Sequence, residues 1–211
     1  MTDSMHTLLQ QAAPVLPVVV IEEAAHALPL ATALHEGGIS VIEITLRTPA
    51  ALDAIRQIRR ELPQVQVGAG TLTSARQLLA IVEAGARFAV SPGFTPALAA
   101  ALQDAGLPWL PGVQTPSEVM LALDAGYSCL KLFPASLTQL DCLAGPFPQV
   151  KFCPTGGIHD GNLQQFLQRD NVLCCGGSWL VPPALQAARD WTAIRTLAQQ
   201  AVALARGERT C

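Results

Sequence analysis

Eight times along the chain a short run of β-branched and apolar residues gives way to an Ala- and Leu-rich stretch with helical spacing. The runs are VLPVVVI (15–21), SVIEITLR (40–47), VQVGAGT (65–71), RFAVSPG (87–93), PWLPGVQ (108–114), SCLKLFPA (128–135), VKFCPTGG (150–157) and NVLCCGGSWLV (171–181). Their starts lie roughly 20–25 residues apart, the repeat of one strand, one helix and their loops. The helical stretches carry end signals. A helix over residues 4–13 precedes the first run, and one over 22–35 is stopped by Gly37 and Gly38. ALDAIRQIRREL stops before Pro63, SARQLLAIVEAG opens on Ser74 as an N-cap, and PALAAALQDAG begins with Pro96 in its first turn. SEVMLALDAG and NLQQFLQRD follow the same grammar, and a last helix spans 191–206. The link SLTQLDCLAGPFP is the least regular and holds at most a short helix. Eight such units in about 200 residues predict a (β/α)8 barrel, an α/β fold forming a single domain over residues 1–211, with the first helix left over to cover one end. Doubly wound sheets usually stop at about five or six strands and rank second.

Composition narrows the function. Half of the residues are hydrophobic, 14% are charged and 5% are aromatic, so a core of Ala, Leu and Val is expected. The net charge is −3 and the 13 basic residues form no run, which argues against a nucleic-acid or anionic-membrane partner. No apolar stretch approaches the ~18 residues of a membrane span. MTDSMHTLLQQAA has an acid and no basic n-region, so it does not read as a secretory signal, and a cytoplasmic location is expected. None of the six cysteines forms a C-x-x-C pair, and Cys129, Cys153, Cys174 and Cys175 fall in strand-like runs as small buried hydrophobes, leaving Cys211 a terminal thiol. The four histidines lack ligand spacing, so no metal and no cofactor are expected.

Only two lysines occur, Lys131 and Lys151. Lys131 stands inside the apolar run CLKLFPA, sharing a face with Cys129 and Phe133. Burial disfavours the ammonium form, and a partly neutral lysine is a nucleophile for carbonyls through a Schiff base. A snorkelling or ion-paired structural lysine explains the same placement equally well. Lys151 opens its run four residues before Thr155, roughly 13 Å toward the opposite end of the barrel, and reads as a solvated surface lysine. Glu43, Thr45 and Arg47 share one face of the second run. An internal ion pair is the packing explanation. The chemical one makes Glu43 a general acid/base and Arg47 a carboxylate clamp. Thr71, ending GAGT, either adds a hydroxyl to that carboxylate or caps the next helix. Pro92 and Phe133 end their runs as apolar walls around the lysine. Gly156 and Gly157 in TGG, with Gly177 and Ser178 in GGS, close the last two runs, where barrels bind phosphate, and Ser178 stands where a short anion-binding helix would start.

Taken together, EITLRTP (43–49), VGAGT (67–71), SPGF (91–94), LKLFPA (130–135), FCPTGGI (152–158) and GGSWLVP (176–182) resemble the bacterial KDPG aldolase family, the 2-dehydro-3-deoxy-6-phosphogluconate / 4-hydroxy-2-oxoglutarate aldolases. The resemblance runs from about Pro14 to Pro182 and implies a class I aldolase and a homotrimer. It implies Lys131 as the Schiff-base lysine, Glu43 as acid/base, and Arg47 and Thr71 on the pyruvate side. Pro92 and Phe133 would line the pocket, Thr155 would contact substrate, and Gly156, Gly157, Gly177 and Ser178 would hold phosphate. The implied partners are a phosphorylated 2-keto-3-deoxy sugar acid and pyruvate. The galactonate epimer is an alternative substrate. A phosphosugar isomerase and a non-catalytic phosphosugar-binding barrel are the rivals from other classes.

Overall fold

The computed structural model describes residues 2–205, with side chains from Ser4 onward. The expected helix end at Arg206 and the terminal thiol of Cys211 lie outside the described residues. In chain order the elements are α1 (Thr2–Ala12), β1 (Val15–Val19), α2 (Ala27–Glu36), β2 (Val41–Thr45), α3 (Ala51–Glu61), β3 (Gln66–Gly70), α4 (Leu78–Glu83), β4 (Ala89–Val90), α5 (Pro96–Ala105), β5 (Trp109–Leu110), β6 (Gly112–Val113), α6 (Pro116–Asp124), β7 (Cys129–Leu132), α7 (Leu137–Ala144), β8 (Lys151–Phe152), α8 (Asp160–Leu167), β9 (Cys175–Gly177), α9 (Pro183–Ala187) and α10 (Trp191–Ala205).

Each of the eight runs forms strand, but the fifth is split at Pro111 into β5 and β6. A proline donates no hydrogen bond and so interrupts the ladder there. Every strand pairing is parallel. One sheet has the order β5-β4-β3-β2-β1-β9 and a second has β6-β7-β8. Two parallel bridges, Phe152 with Val172 and Thr155 with Gly176, link the β8 run to the β9 run. The result is an α/β fold with a curled parallel sheet and ten α-helices among the described residues. None of those helices is long and apolar enough to cross a membrane.

The helix starts follow local chemistry. Thr115 and Glu118 form a reciprocal capping box on α6: Thr115 Oγ1 accepts from Glu118 N–H, while the Glu118 carboxylate accepts from Gln114 N–H at 2.7 Å and Thr115 N–H at 2.8 Å. Thr95 caps α5, and Gly106 ends it in the left-handed region at φ 63°. Ser136 caps α7, so the irregular link does hold a helix of eight residues. The helix expected over 22–35 starts later. Residues 24–26 form a 3-10 turn before α2, and Glu22 and Glu23 belong to the loop after β1.

Two layers of side chains decide where a site can form. Met5, Leu9 and Ala12 of α1 pack with Leu16, Val41, Phe88, Val90, Leu110, Cys129, Cys153 and Cys174, all buried. Val41 shares a strand face with Glu43, and Cys129 shares one with Lys131, because side chains alternate along a strand. The apolar layer under α1 is therefore the floor beneath the Glu43 and Lys131 level. The other strand faces, with Ile42, Ile44, Val67, Leu130 and Leu132, pack against the helices.

Candidate active site

Glu43 and Lys131 come from β2 and β7, which lie in different sheets, yet Lys131 Nζ sits 3.5 Å from Glu43 Oε2. Both are buried, at 1% and 7% exposure. The Lys131 ammonium also lies 5.7 Å from the centroid of the Phe133 ring, within cation–π range. A buried ion pair contributes little stability after desolvation, so packing alone is a weak reason to keep one in this layer.

A cavity of about 630 Å³ opens onto Lys131. Arg47, Thr71, Pro92, Phe133, Thr155, Gly156, Gly157, Gly177 and Ser178 line it as well. Glu43 is the one residue of the predicted set outside that lining, and it reaches the cavity through its contact with Lys131. Thr45 shares the β2 face but not the site: its hydroxyl donates to the Val19 carbonyl of β1 at 2.9 Å.

Local structure holds each group. Arg47 Nε donates to Thr71 Oγ1 at 3.3 Å, so the two stand side by side. Thr71 has φ 60°, a left-handed conformation that costs a non-glycine residue about 1–3 kcal/mol and that collects at functional sites. It does not cap the helical segment that follows. Ser74 does, in a capping box with Gln77. Pro92 is fixed by Ser91, whose hydroxyl donates to the Gly93 carbonyl at 2.7 Å and accepts from Trp109 Nε1 at 3.0 Å. Thr155 N–H donates to the Leu132 carbonyl at 2.9 Å, and the Thr155 hydroxyl donates to the Cys153 carbonyl at 3.3 Å. Gly156 and Gly157 turn with φ 98° and 75°, which only glycine adopts without strain. Ser178 is exposed and lies in a turn closed by Val181 N–H on the Ser178 carbonyl, not at the start of a helix. The helix after this run, α9, begins at Pro183, which suits the first helical position and holds the residue before it, Pro182, out of the helical region at φ −56° and ψ 138°.

The cavity also takes in Val18, Val20, Glu22, Glu23 and His26 from the end of β1 and its loop, and Val181, Pro183 and Gln186 near α9. Reading 22–35 as one helix hid Glu22, Glu23 and His26. The rule that barrel sites collect at the C-terminal strand ends points to the loop after β1 and was the available signal. Glu23 Oε2 lies 3.6 Å from His26 Nε2 and 3.9 Å from an Arg189 nitrogen.

Lys151 is at the other end of its strand run, as expected, but it is half-buried and donates to the Asp170 carbonyl at 2.7 Å. The backbone oxygen at the β9 approach takes the ammonium that water was expected to hold. No group of three or more His, Cys, Asp or Glu side chains arranged to hold a metal ion occurs among the described residues.

Comparison with known proteins follows the same lines. The family model described as "Aldolase: KDPG and KHG aldolase" matches residues 6–197. The KHG/KDPG aldolase of Escherichia coli is 48% identical over 193 residues, covering 90% of this chain and 91% of that protein. The KDPG aldolase of Legionella pneumophila, solved with pyruvate captured at low pH as a covalent carbinolamine intermediate, superposes with a TM-score of 0.88 at 46% identity, covering 90% of this chain and 95% of that one. The 2-keto-3-deoxy-6-phosphogluconate aldolase of Zymomonas mobilis, solved with 3-phosphoglycerate, has a TM-score of 0.88 at 44% identity, with 94% and 95% covered.

Proposed function

The chain belongs to the KDPG and KHG aldolase family, and on that footing we propose that it is a class I aldolase with Lys131 as its Schiff-base residue. It cleaves 2-dehydro-3-deoxy-6-phosphogluconate to pyruvate and glyceraldehyde 3-phosphate, and 4-hydroxy-2-oxoglutarate to pyruvate and glyoxylate. The observation that carries this reading is the buried Lys131 amine, 3.5 Å from the Glu43 carboxylate and open to a cavity lined by Arg47 and Thr71.

The geometry supports a definite order of events. Arg47 and Thr71 hold the substrate carboxylate, which leaves the C2 carbonyl facing Lys131. Unprotonated Nζ adds to C2, and the carbinolamine loses water to give an iminium. Glu43 moves the protons in these steps and then takes the proton of the C4 hydroxyl. The electron pair of the C3–C4 bond passes into the iminium, the aldehyde leaves, and an enamine of pyruvate stays on Lys131. Glu43, now a carboxylic acid, returns its proton to C3. Water then hydrolyses the pyruvate iminium and frees the lysine.

We assign Gly156, Gly157, Gly177 and Ser178 to the phosphate, Pro92 and Phe133 to the pocket wall, and Thr155 to contact with the substrate near C4. They line one cavity with Lys131, and the bridge between Thr155 and Gly176 brings the two loop-bearing runs together. The proposal extends to the whole chain as one (β/α)8 barrel domain with α1 across one end. The β8–β9 bridges, the continuity of β5 and β6 through Pro111, and the apolar layer beneath α1 support it. A homotrimer and a cytoplasmic location complete the reading. Exposed Leu79 and Val82 on α4 and Met120 and Leu121 on α6 are apolar surface of the kind subunits cover.

Incubation with pyruvate and borohydride tests the central assignment. A reduced adduct is expected on Lys131 and none on Lys151. Peptide mapping that places the label on Lys151, or an active enzyme that takes no label, overturns it.

A further inference from the structure

Gly70 ends β3 and pairs in register with Thr45 of β2, while Glu43 lies one pair earlier on the same face. A Cβ added to Gly70 would fall inside the Glu43 side chain, against Oε1, Cδ and Cγ. Non-bonded carbon and oxygen atoms keep about 3.5 Å apart, so the two groups cannot share that space. Backbone conformation is not what demands glycine here. Gly70 is absent from the glycines with positive φ, and its strand backbone accepts any L-residue. Space for the carboxylate is the remaining reason.

From this we infer that Gly70 is a positioning residue for the reaction: its missing side chain is the socket that seats the Glu43 carboxylate against Lys131. The inference rests on Glu43 being the proton-transfer group. Gly68, two residues earlier, clears space in the same way for the Phe88 ring, which belongs to the apolar floor. Gly112 and Gly176 do so for the backbone of Pro92 and the side chain of Thr155. At Gly70 the colliding atoms are the end of a flexible side chain and not backbone. Gly70→Ala is therefore expected to fold, with Glu43 swung out of its seat, because the ladder between β2 and β3 fixes both backbones and leaves the side chain to move.

The test is a double-mutant cycle. Gly70→Ala should lower kcat roughly 10²- to 10⁴-fold, toward the level of Glu43→Gln, with KM changed little, and should slow exchange of the pyruvate methyl protons in D₂O by a similar factor. Glu43→Ala removes Cγ, Cδ and both oxygens, among them the atoms that a Cβ at position 70 meets, so in that background Gly70→Ala has nothing left to displace. The double variant should therefore turn over and exchange methyl protons at the rate of Glu43→Ala alone, the two losses failing to add. Wild-type exchange in Gly70→Ala, or losses that multiply in the double variant, overturns the inference. If Gly70→Ala does not fold, the double variant decides: recovery of folding with the exchange rate of Glu43→Ala supports the socket, and failure of both variants to fold overturns it. Glu43→Gln turning over at the wild-type rate would instead remove the acid/base reading on which the inference stands.

Discussion

At the residue scale, each proposed role predicts a different kinetic signature. Glu43→Gln keeps the size of the side chain and removes its charge, so the fold and most substrate binding should persist while turnover drops by roughly 10²–10⁴. Wild-type turnover in that variant would show that water or another group moves the protons. Ser178 lies exposed on the cavity wall. Ser178→Ala removes one hydrogen bond to a charged group, worth about 1.5–3 kcal/mol, or roughly 10- to 100-fold in kcat/KM. The loss should appear with the phosphorylated substrate and be nearly absent with 4-hydroxy-2-oxoglutarate, which has no phosphate to hold. Equal losses on both would mean that Ser178 supports the pocket and that phosphate binds elsewhere. Lys131 was legible in the sequence because a cation in an apolar strand run needs a partner. The identity of that partner was not, since β2 and β7 are not paired and only the curl of the two sheets brings Glu43 to 3.5 Å.

At the element scale, the capping box on α6 links stability to pH. Burial acts to raise the Glu118 carboxyl, but hydrogen bonds from the Gln114 and Thr115 backbone and the Thr115 hydroxyl together outweigh it and hold it below its ordinary value of 4.5. A lowered folded-state value means that Glu118 stabilises fully above 4.5 and that its contribution fades as pH falls through the lower folded value. Denaturant unfolding of wild type and Glu118→Gln should differ by a constant amount near neutrality and converge in acid. A difference that grows as pH falls would contradict this account of the box. Caps of this kind are local, yet not all are legible: Ser74 and Pro96 show in the sequence as helix starts, whereas reading α6 as SEVMLALDAG starts it at Ser117 and passes over its cap, Thr115. The loop after β1 was misread because Glu, Ala and His suit a helix, and nothing within the segment shows that the cavity needs Glu22, Glu23 and His26 in irregular chain.

At the scale of the whole molecule, the layer under α1 makes a chemical prediction. Cys129, Cys153, Cys174 and Cys175 are buried there or beside it, whereas Cys142 is exposed. Burial, with a smaller push from Cys153 and an opposing pull from Lys151, raises the Cys129 thiol to about 11. The Cys174 thiol is raised by its hydrogen bond to Cys153, 3.6 Å away, and by burial, and Cys175 is raised mainly by burial. A buried thiol is closed to reagent, so alkylation of the native protein should label Cys142 and leave these four untouched until unfolding, as read by peptide mass mapping. Rapid native labelling of Cys129 or Cys174 would mean that the floor opens. The strand and helix periods, the α/β class and the two lysines follow from sequence alone, because alternation, caps and the cost of a buried charge are local properties. Which strands become neighbours, where Pro111 breaks the ladder, how Gly70 leaves room for a carboxylate, and which residues of the loop after β1 enter the cavity were decided only by the tertiary structure. Those outcomes depend on contacts between residues far apart in the chain, and no short stretch of sequence contains both sides of such a contact.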